Sequence, residues 1–203
     1  MRISDHRYQR DRQRLDVAVQ FIEHEARTQT IRQWTGLTDD RIRKLYRSYL
    51  MEHQGRPLPR HRGKSPQQIA HFMRTARLRQ ESALLASLCL LADVLGAARS
   101  PVPPVRAQHS VQRGQQLCQA YDAYQSLVMR PAISFEHAVF LVTALTRGDE
   151  LHLAPCVGCG ALLVTDRLSL RVPRCAGCGS PAPVPAWPAT LPATEQKLRS
   201  AAR

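Results

Sequence analysis

Apolar residues recur at helical spacing over most of the first 150 positions. Leu15, Val19, Ile22 and Ala26 fall at i, i+4, i+7 and i+11, one face of a helix. A shorter helix is expected over residues 28–34, with a turn at Gly36. Thr38 is placed to cap the next helix. Asp39 and Asp40 would occupy its first turn, where carboxylates suit the positive end of the helix dipole. That helix would bury Ile42, Leu45, Tyr46, Tyr49 and Leu50. Residues 55–65 then contain Pro57, Pro59, Gly63 and the cations Arg56, Arg60, Arg62 and Lys64, which is expected to be a mobile basic linker.

The middle of the chain opens on Ser65-Pro-Gln-Gln68, a capping box with proline at the first helical position. Helix is expected from 66 towards 95, with a break near Arg79. Its apolar line is Ile69, Phe72, Met73, Leu84, Leu88, Leu91 and Leu95. Pro101, Pro103 and Pro104 end that unit. A further helix over 111–129 would bury Leu117, Cys118, Tyr121, Tyr124 and Val128. Pro131 stops it, Ser134 caps a last helix over 135–147, and Gly148 ends that helix in the left-handed conformation. After Gly148 the texture changes. Residues 162–172 are short and β-prone between two cysteine pairs. The stretch after them is rich in proline and alanine and is expected to be disordered, with a frayed helix at its end.

The pattern thus describes a mainly α protein: N-terminal helices of helix-turn-helix character in 1–64, a helical core in 65–148, a small cysteine unit in 149–182 and a tail in 183–203. The longest apolar stretch, 83–92, is about half of what a bilayer demands, so no membrane segment is expected. No apolar signal-peptide region precedes the first helix, and a cytoplasmic protein is expected. In that compartment the six cysteines would not form structural disulfides.

Charge sharpens this picture. The chain carries +13, with 29 Lys and Arg against 16 Asp and Glu. Residues 1–64 hold net +7, residues 65–154 net +2 and residues 155–203 net +4. A polyanionic partner, nucleic acid or an anionic membrane face, would match such an excess.

Cys156-Val-Gly-Cys159-Gly and Cys175-Ala-Gly-Cys178-Gly are 15 residues apart, the C-x2-C-x15-C-x2-C spacing of a structural zinc site. Two residues between thiolates let one turn present both sulfurs to one ion at about 2.3 Å. Gly160 and Gly179 would supply positive φ and turn backbone N–H groups onto the sulfurs. The stretch between the pairs would form a hairpin, and Arg167, Arg171 and Arg174 would offset the charge of four thiolates. One structural Zn²⁺ per chain is expected on Cys156, Cys159, Cys175 and Cys178. Four thiolates leave no open position for a catalytic water. His152 is a weaker candidate ligand. Cys89 and Cys118 fall on apolar faces and are expected to be inert core thiols.

Residues 28–50 spell helix, turn, helix. Arg41, Arg43, Lys44, Arg47 and Ser48 lie opposite the apolar stripe of the second helix. In a helix-turn-helix that helix enters the major groove, where arginine forks onto guanine and lysine or serine holds phosphate. A solvated basic face on an ordinary helix pair would look the same in sequence. No phosphate-binding glycine loop, H-E-x-x-H or G-x-S-x-G motif occurs. The adjacent acids Asp39-Asp40 and Asp149-Glu150 read as helix-end and turn residues.

The order of these features resembles the FlhC family, a subunit of the bacterial flagellar master regulator. The likeness covers about residues 15–180. It is carried by Leu151-His-Leu-Ala-Pro-Cys156-x-x-Cys159-Gly, by Cys175-x-x-Cys178, and by Ile42-Arg-Lys-Leu-Tyr46, which is similar to the family's Arg/Lys-Leu-Tyr stretch. The helix around 121–128 and the helix ending at Arg147 also fit. The resemblance implies a transcription activator without enzymatic activity, cytoplasmic, with zinc on the four cysteines. It implies a hetero-oligomer, two of this chain with four FlhD-type subunits, that binds promoter double-stranded DNA of flagellar operons and works with RNA polymerase. The DNA role would fall on Arg41, Arg43, Lys44 and Arg47. A zinc-stapled interaction scaffold and a zinc-ribbon nucleic-acid-processing enzyme are the alternative functions. The second would require a carboxylate cluster for Mg²⁺, and the sequence presents none.

Overall fold

The computed structural model describes residues 5–53, 66–95 and 110–179. The expected basic linker, Ser65 of the capping box, the proline cluster 101–104 and the tail 183–203 lie outside the described residues, as do the side chains of Tyr49 and Leu50. Among the described residues the architecture is mainly helical, with one two-stranded sheet. In chain order the elements are α1 (Asp5–Glu23), α2 (Thr28–Thr35), α3 (Asp39–His53), α4 (Ala70–Met73), α5 (Ala76–Leu91), α6 (Val111–Leu127), α7 (Phe135–Arg147), β1 (Leu151–Pro155), β2 (Leu162–Asp166) and α8 (Ala176–Gly179). No helix among the described residues is long and apolar enough to cross a membrane.

Helix α1 buries Val17, Ala18, Phe21 and Ile22 and stops at Glu23. Ala26 is buried as expected, but outside the helix. The Ala26 N–H bonds Phe21 O at 2.8 Å and the Glu25 N–H bonds Ile22 O at 2.9 Å, with Glu25 at φ 59°. These crossed bonds are the Schellman ending, here with glutamate where glycine is usual. The same ending closes α5, where Asp93 takes φ 58° and the Val94 N–H reaches Cys89 O.

The expected helix over 66–95 is two helices. Pro66 to Gln68 are not helical, and the break falls at Arg74 and Thr75, earlier than Arg79. Thr75 is extended (φ −129°, ψ 157°), and its side chain accepts the Leu78 N–H, so it caps α5. The buried face of α5 also differs. It is Leu78, Glu81, Ser82, Leu85, Ala86 and Cys89, whereas Leu84 and Leu88 are half-buried and Leu91 is 85% exposed. Residues 83–92 are apolar almost all round, so periodicity could not choose a face. Packing on α6, α7 and the strand over Leu162–Asp166 chooses it.

Helix α6 packs beside α5 and also meets α1 and α2. Gly114 makes that approach possible. A Cβ there would lie 3.1 Å from Val17 Cγ1 and 3.4 Å from the Phe21 and Trp34 rings. Phe21 meets Phe135 edge-on at 5.0 Å and Trp34 at 5.9 Å, and Tyr121 meets Phe135 at 5.1 Å. Helix α7 is capped by Ser134 and ended by Gly148 at φ 66°, as its sequence predicts. Buried residues from α1, α5, α6, α7 and the sheet belong to one cluster. The charge zones of the sequence therefore share a core.

The hairpin is not where it was expected. Its strands are β1 and β2, antiparallel with Leu151 opposite Asp166 and Pro155 opposite Leu162. They flank the first cysteine pair: β2 falls within the β-prone stretch between the pairs, as expected, but its partner β1 precedes the first pair. Leu151 and Val164 join the core.

Candidate functional site

The first knuckle is the turn of the hairpin. The Cys156 N–H donates to Ala161 O and the Gly160 N–H to Cys156 O, both at 2.8 Å. Gly160 takes φ 74°, the conformation its position predicts. Gly179 does not take positive φ; it closes the short helix α8. The glycine that packing demands is Gly158. A Cβ there would lie 2.9 Å from Cys178 Sγ and 3.1 Å from Cys178 Cβ.

The chain leaves β2, passes through residues 167–174 and returns to the second knuckle. The Val157 N–H bonds Pro173 O at 3.1 Å, and the Cys175 N–H donates to Cys156 Sγ at 3.2 Å. The Cys178 N–H donates to Cys175 Sγ at 3.3 Å. The sulfurs of Cys156, Cys159, Cys175 and Cys178 all lie within 4.8 Å of one another. Cys159 and Cys175 are 3.6 Å apart, close to the edge of about 3.8 Å that a tetrahedron of metal–sulfur bonds of about 2.3 Å requires. These are the only His, Cys, Asp or Glu side chains that group in threes or more at such range among the described residues. Cys156 is buried, Cys175 and Cys178 are half-buried, and Cys159 faces solvent.

The donor set fits a metal ion. N–H groups of Cys175 and Gly158 hold the Cys156 thiol down at about 6. Hydrogen bonding with Cys175 and Cys159 pushes the Cys178 thiol up to about 12. Four thiols this close do not all ionise unless a cation shares their charge. Arg167 does not face the cluster, because its guanidinium bonds Gly148 O at the end of α7. His152 is outside the sulfur group; its Nε2 faces Thr165 Oγ1 at 3.4 Å. Cys89 and Cys118 are buried in the core, and burial pushes the Cys89 thiol up to about 12 and Cys118 higher than its ordinary value.

The second candidate surface is α3. It follows α2 across Gly36 (φ 70°), buried Leu37 and Thr38, whose carbonyl accepts the Ile42 N–H at 3.0 Å. Ile42 and Tyr46 lock its inner side, and the Tyr46 hydroxyl donates to Ala26 O at 2.9 Å. Arg41, Arg43, Lys44, Arg47 and Ser48 are all exposed. Arg43 pairs with Asp40 at 2.9 Å, Asp39 lies 3.9 Å from Arg32, and the Ser48 hydroxyl bonds Lys44 O of its own helix. Helix α3 packs on α1 and α2, whereas the cysteine hairpin packs on α5 and α7. The two candidate surfaces therefore stand on different supports.

Sequence reasoning passed over Gly158 and three exposed aliphatics between the knuckles, Leu168, Leu170 and Val172. The Val-Gly inside the first C-x-x-C was the available sign of the former. The period-2 spacing of the latter was visible, but it carried an expectation of strand. It also passed over Glu81, a carboxylate 6% exposed.

No protein-family model matches this chain, and no curated protein matches it.

Proposed function

We propose that this chain is the DNA-contacting subunit of a cytoplasmic transcription activator, without enzymatic activity, held together at its C-terminal end by one structural Zn²⁺. The observation that carries the reading is α3. Its inner side is fixed in the core by Ile42 and Tyr46, while Arg41, Arg43, Lys44 and Arg47 all stand in solvent on the helix that follows the turn. A helix so held can enter a major groove as a rigid body, and its arginines can reach guanine edges and phosphates. Asp40 must release Arg43 for that residue to bind DNA.

Zinc is the ion that best suits Cys156, Cys159, Cys175 and Cys178. Tetrahedral thiolate sites take zinc or iron–sulfur clusters, and two C-x2-C pairs about 15 residues apart are a zinc spacing. Bound there, zinc supplies a crosslink between the knuckles and no open coordination position. The resemblance to FlhC extends the proposal to an FlhD-type partner, two of this chain with four of the partner, acting with RNA polymerase at flagellar and other promoters.

The test is binding of this chain, co-expressed with an FlhD-type subunit, to a flagellar promoter duplex and to a scrambled duplex across a salt series. The expected result is a steep loss of affinity with salt and a preference of about 4 kcal/mol or more for the promoter. Arg43→Ala should cost about 1–3 kcal/mol of promoter binding without lowering Tm, because its bonded partner Asp40 is itself exposed. Absence of binding to either duplex would overturn the reading.

A further inference from the structure

Residues 167–174 form a strap between β2 and the second knuckle. It presents Leu168, Leu170 and Val172 to solvent at 86, 101 and 63% exposure. Aliphatics at i, i+2 and i+4 usually bury one face of an extended segment, but here nothing described covers them. The strap is nonetheless pinned at both ends. Asp166 Oδ1 accepts the Leu168 N–H at 2.8 Å, and Pro173 O accepts the Val157 N–H. Beside it runs a groove of about 650 Å³ between α5 and the hairpin, with Met73, Ala83, Leu162 and Val164 among its lining.

The charge of this groove is one-sided. Arg79, Arg171 and Arg174 line it, with Asp166 the one carboxylate in the lining among the described residues. The Arg79 guanidinium is held by Met73 O at 2.9 Å. Arg171 and Arg174 are exposed, and neither has an ion pair among the described residues. The strap thus brings Arg171, Val172 and Arg174 to the groove and holds Leu168 and Leu170 exposed beside it.

We propose that this strap and groove dock an acidic, leucine-bearing segment of a partner protein. Duplex DNA could satisfy the arginines but offers Leu168 and Leu170 only thymine methyls or bases that must first be unstacked. An extended acidic segment with alternating leucines satisfies both, placing carboxylates on Arg171 and Arg174 and leucines on the strap. The surface stands on α5 and the hairpin, so it operates independently of α3 and of the DNA reading.

The experiment is fluorescence anisotropy of the full, metal-loaded chain with a short labelled peptide in which Glu alternates with Leu. Companion peptides replace Leu with Ser, or Glu with Lys; anionic phospholipid vesicles and a random duplex complete the set. The Glu/Leu peptide is expected to bind. Leu170→Ser and Arg174→Glu should each weaken it about tenfold, and both companion peptides should bind far less. Leu170 is fully exposed, so Leu170→Ser disturbs no packing; metal content and far-ultraviolet circular dichroism verify each variant. Should Arg174→Glu lose metal, Arg171→Glu takes its place. Arg43→Ala should leave peptide binding unchanged, which separates failure of this proposal from failure of the DNA reading. Equal binding of the Lys/Leu peptide, indifference to Leu170→Ser and Arg174→Glu, or Leu170-dependent uptake by vesicles in place of peptide would each overturn it.

Discussion

Gly158 in the first knuckle sits against Cys178 in the second, so closely that a Cβ on Gly158 would lie 2.9 Å from the Cys178 sulfur. The contact joins the two cysteine pairs without a hydrogen bond. It requires the absence of a side chain. Gly158→Ala must displace either the sulfur or the turn. The expected loss is about 10–100-fold in metal affinity, as for other residues that orient metal ligands. Competition against a chromophoric chelator measures it. Gly160→Ala is the comparison: at φ 74° with nothing within 4 Å, it should cost about 1–2 kcal/mol of backbone strain and leave the sulfurs in place. Equal effects of the two substitutions would refute the steric argument.

Metal removal should act locally. The helical core rests on Phe21, Phe135, Tyr121 and Trp34, remote in sequence from the cysteines and packed without them. The strap and the second knuckle depend on bonds at sulfur, such as that from the Cys175 N–H to Cys156 Sγ. A chelator should therefore speed hydrogen exchange at Val157, Cys175 and Cys178, while amides of α1 and α6 stay protected. Global loss of protection would mean that the metal supports the whole fold.

Tyr124 donates its hydroxyl hydrogen to Glu81, whose carboxylate also accepts the Ala132 N–H at 2.8 Å and Arg77 Nε at 2.6 Å. Burial pushes this carboxyl up, but the bonds from Tyr124, Ala132 and Arg77 outweigh it and hold the group below its ordinary 4.5. A lowered folded value means that the contribution to stability is complete above the unfolded value and is lost as pH falls through the folded one. Tyr124→Phe should cost about 1–3 kcal/mol in urea unfolding near neutral pH. Glu81→Leu should cost more, since it strands both the hydroxyl and the Ala132 N–H. A neutral result for either would show that the network does not clamp α5 to α6.

His71 of α4 stacks on His137 of α7 at 4.1 Å, and His137 Nδ1 meets Ser134 Oγ at 2.7 Å. Burial lowers both values, with Arg74 adding to the effect on His71 and the His71 ring adding to it on His137. Glu136 acts in the opposite direction on His137, and Arg27 in the same one. Both rings are thus favoured neutral. Their contribution is complete above about 6.5 and falls as pH drops below it, because the unfolded chain takes up protons first. Tm should decline between about pH 7.5 and 5, and His71→Phe should flatten that decline. An unchanged profile would assign the pH dependence to His137 or to His24, both of which burial lowers.

Much of this molecule was legible along the chain because the governing forces are local. Ser134 caps α7 and Gly148 ends it, since a hydroxyl and a missing Cβ act within one turn. Ile42 and Tyr46 face inward and Arg41, Arg43, Lys44 and Arg47 outward, because α3 is strongly two-sided. The sulfurs of Cys156, Cys159, Cys175 and Cys178 come together as their spacing predicts, because each C-x-x-C turn is set by its own residues.

Other features depended on what the chain meets in space. Leu91 turned outward and Glu81 inward on α5, because an almost uniformly apolar helix is oriented by its neighbours, and Tyr124 and Ala132 provide for the carboxylate. Glu25 and Asp93 adopted the left-handed conformation without being glycine, because Ala26 and Val94 are buried beyond them and the crossed hydrogen bonds offset the local strain. The hairpin formed around the first knuckle because Leu151 and Val164 reach the core, leaving Leu168, Leu170 and Val172 outside it. By itself the sequence determined the helical class, the ends of α7 set by Ser134 and Gly148, and the cysteine cluster, all products of short-range geometry. The tertiary structure alone decided which apolar surface is buried and which remains open, because burial is a property of neighbours that lie far apart along the chain.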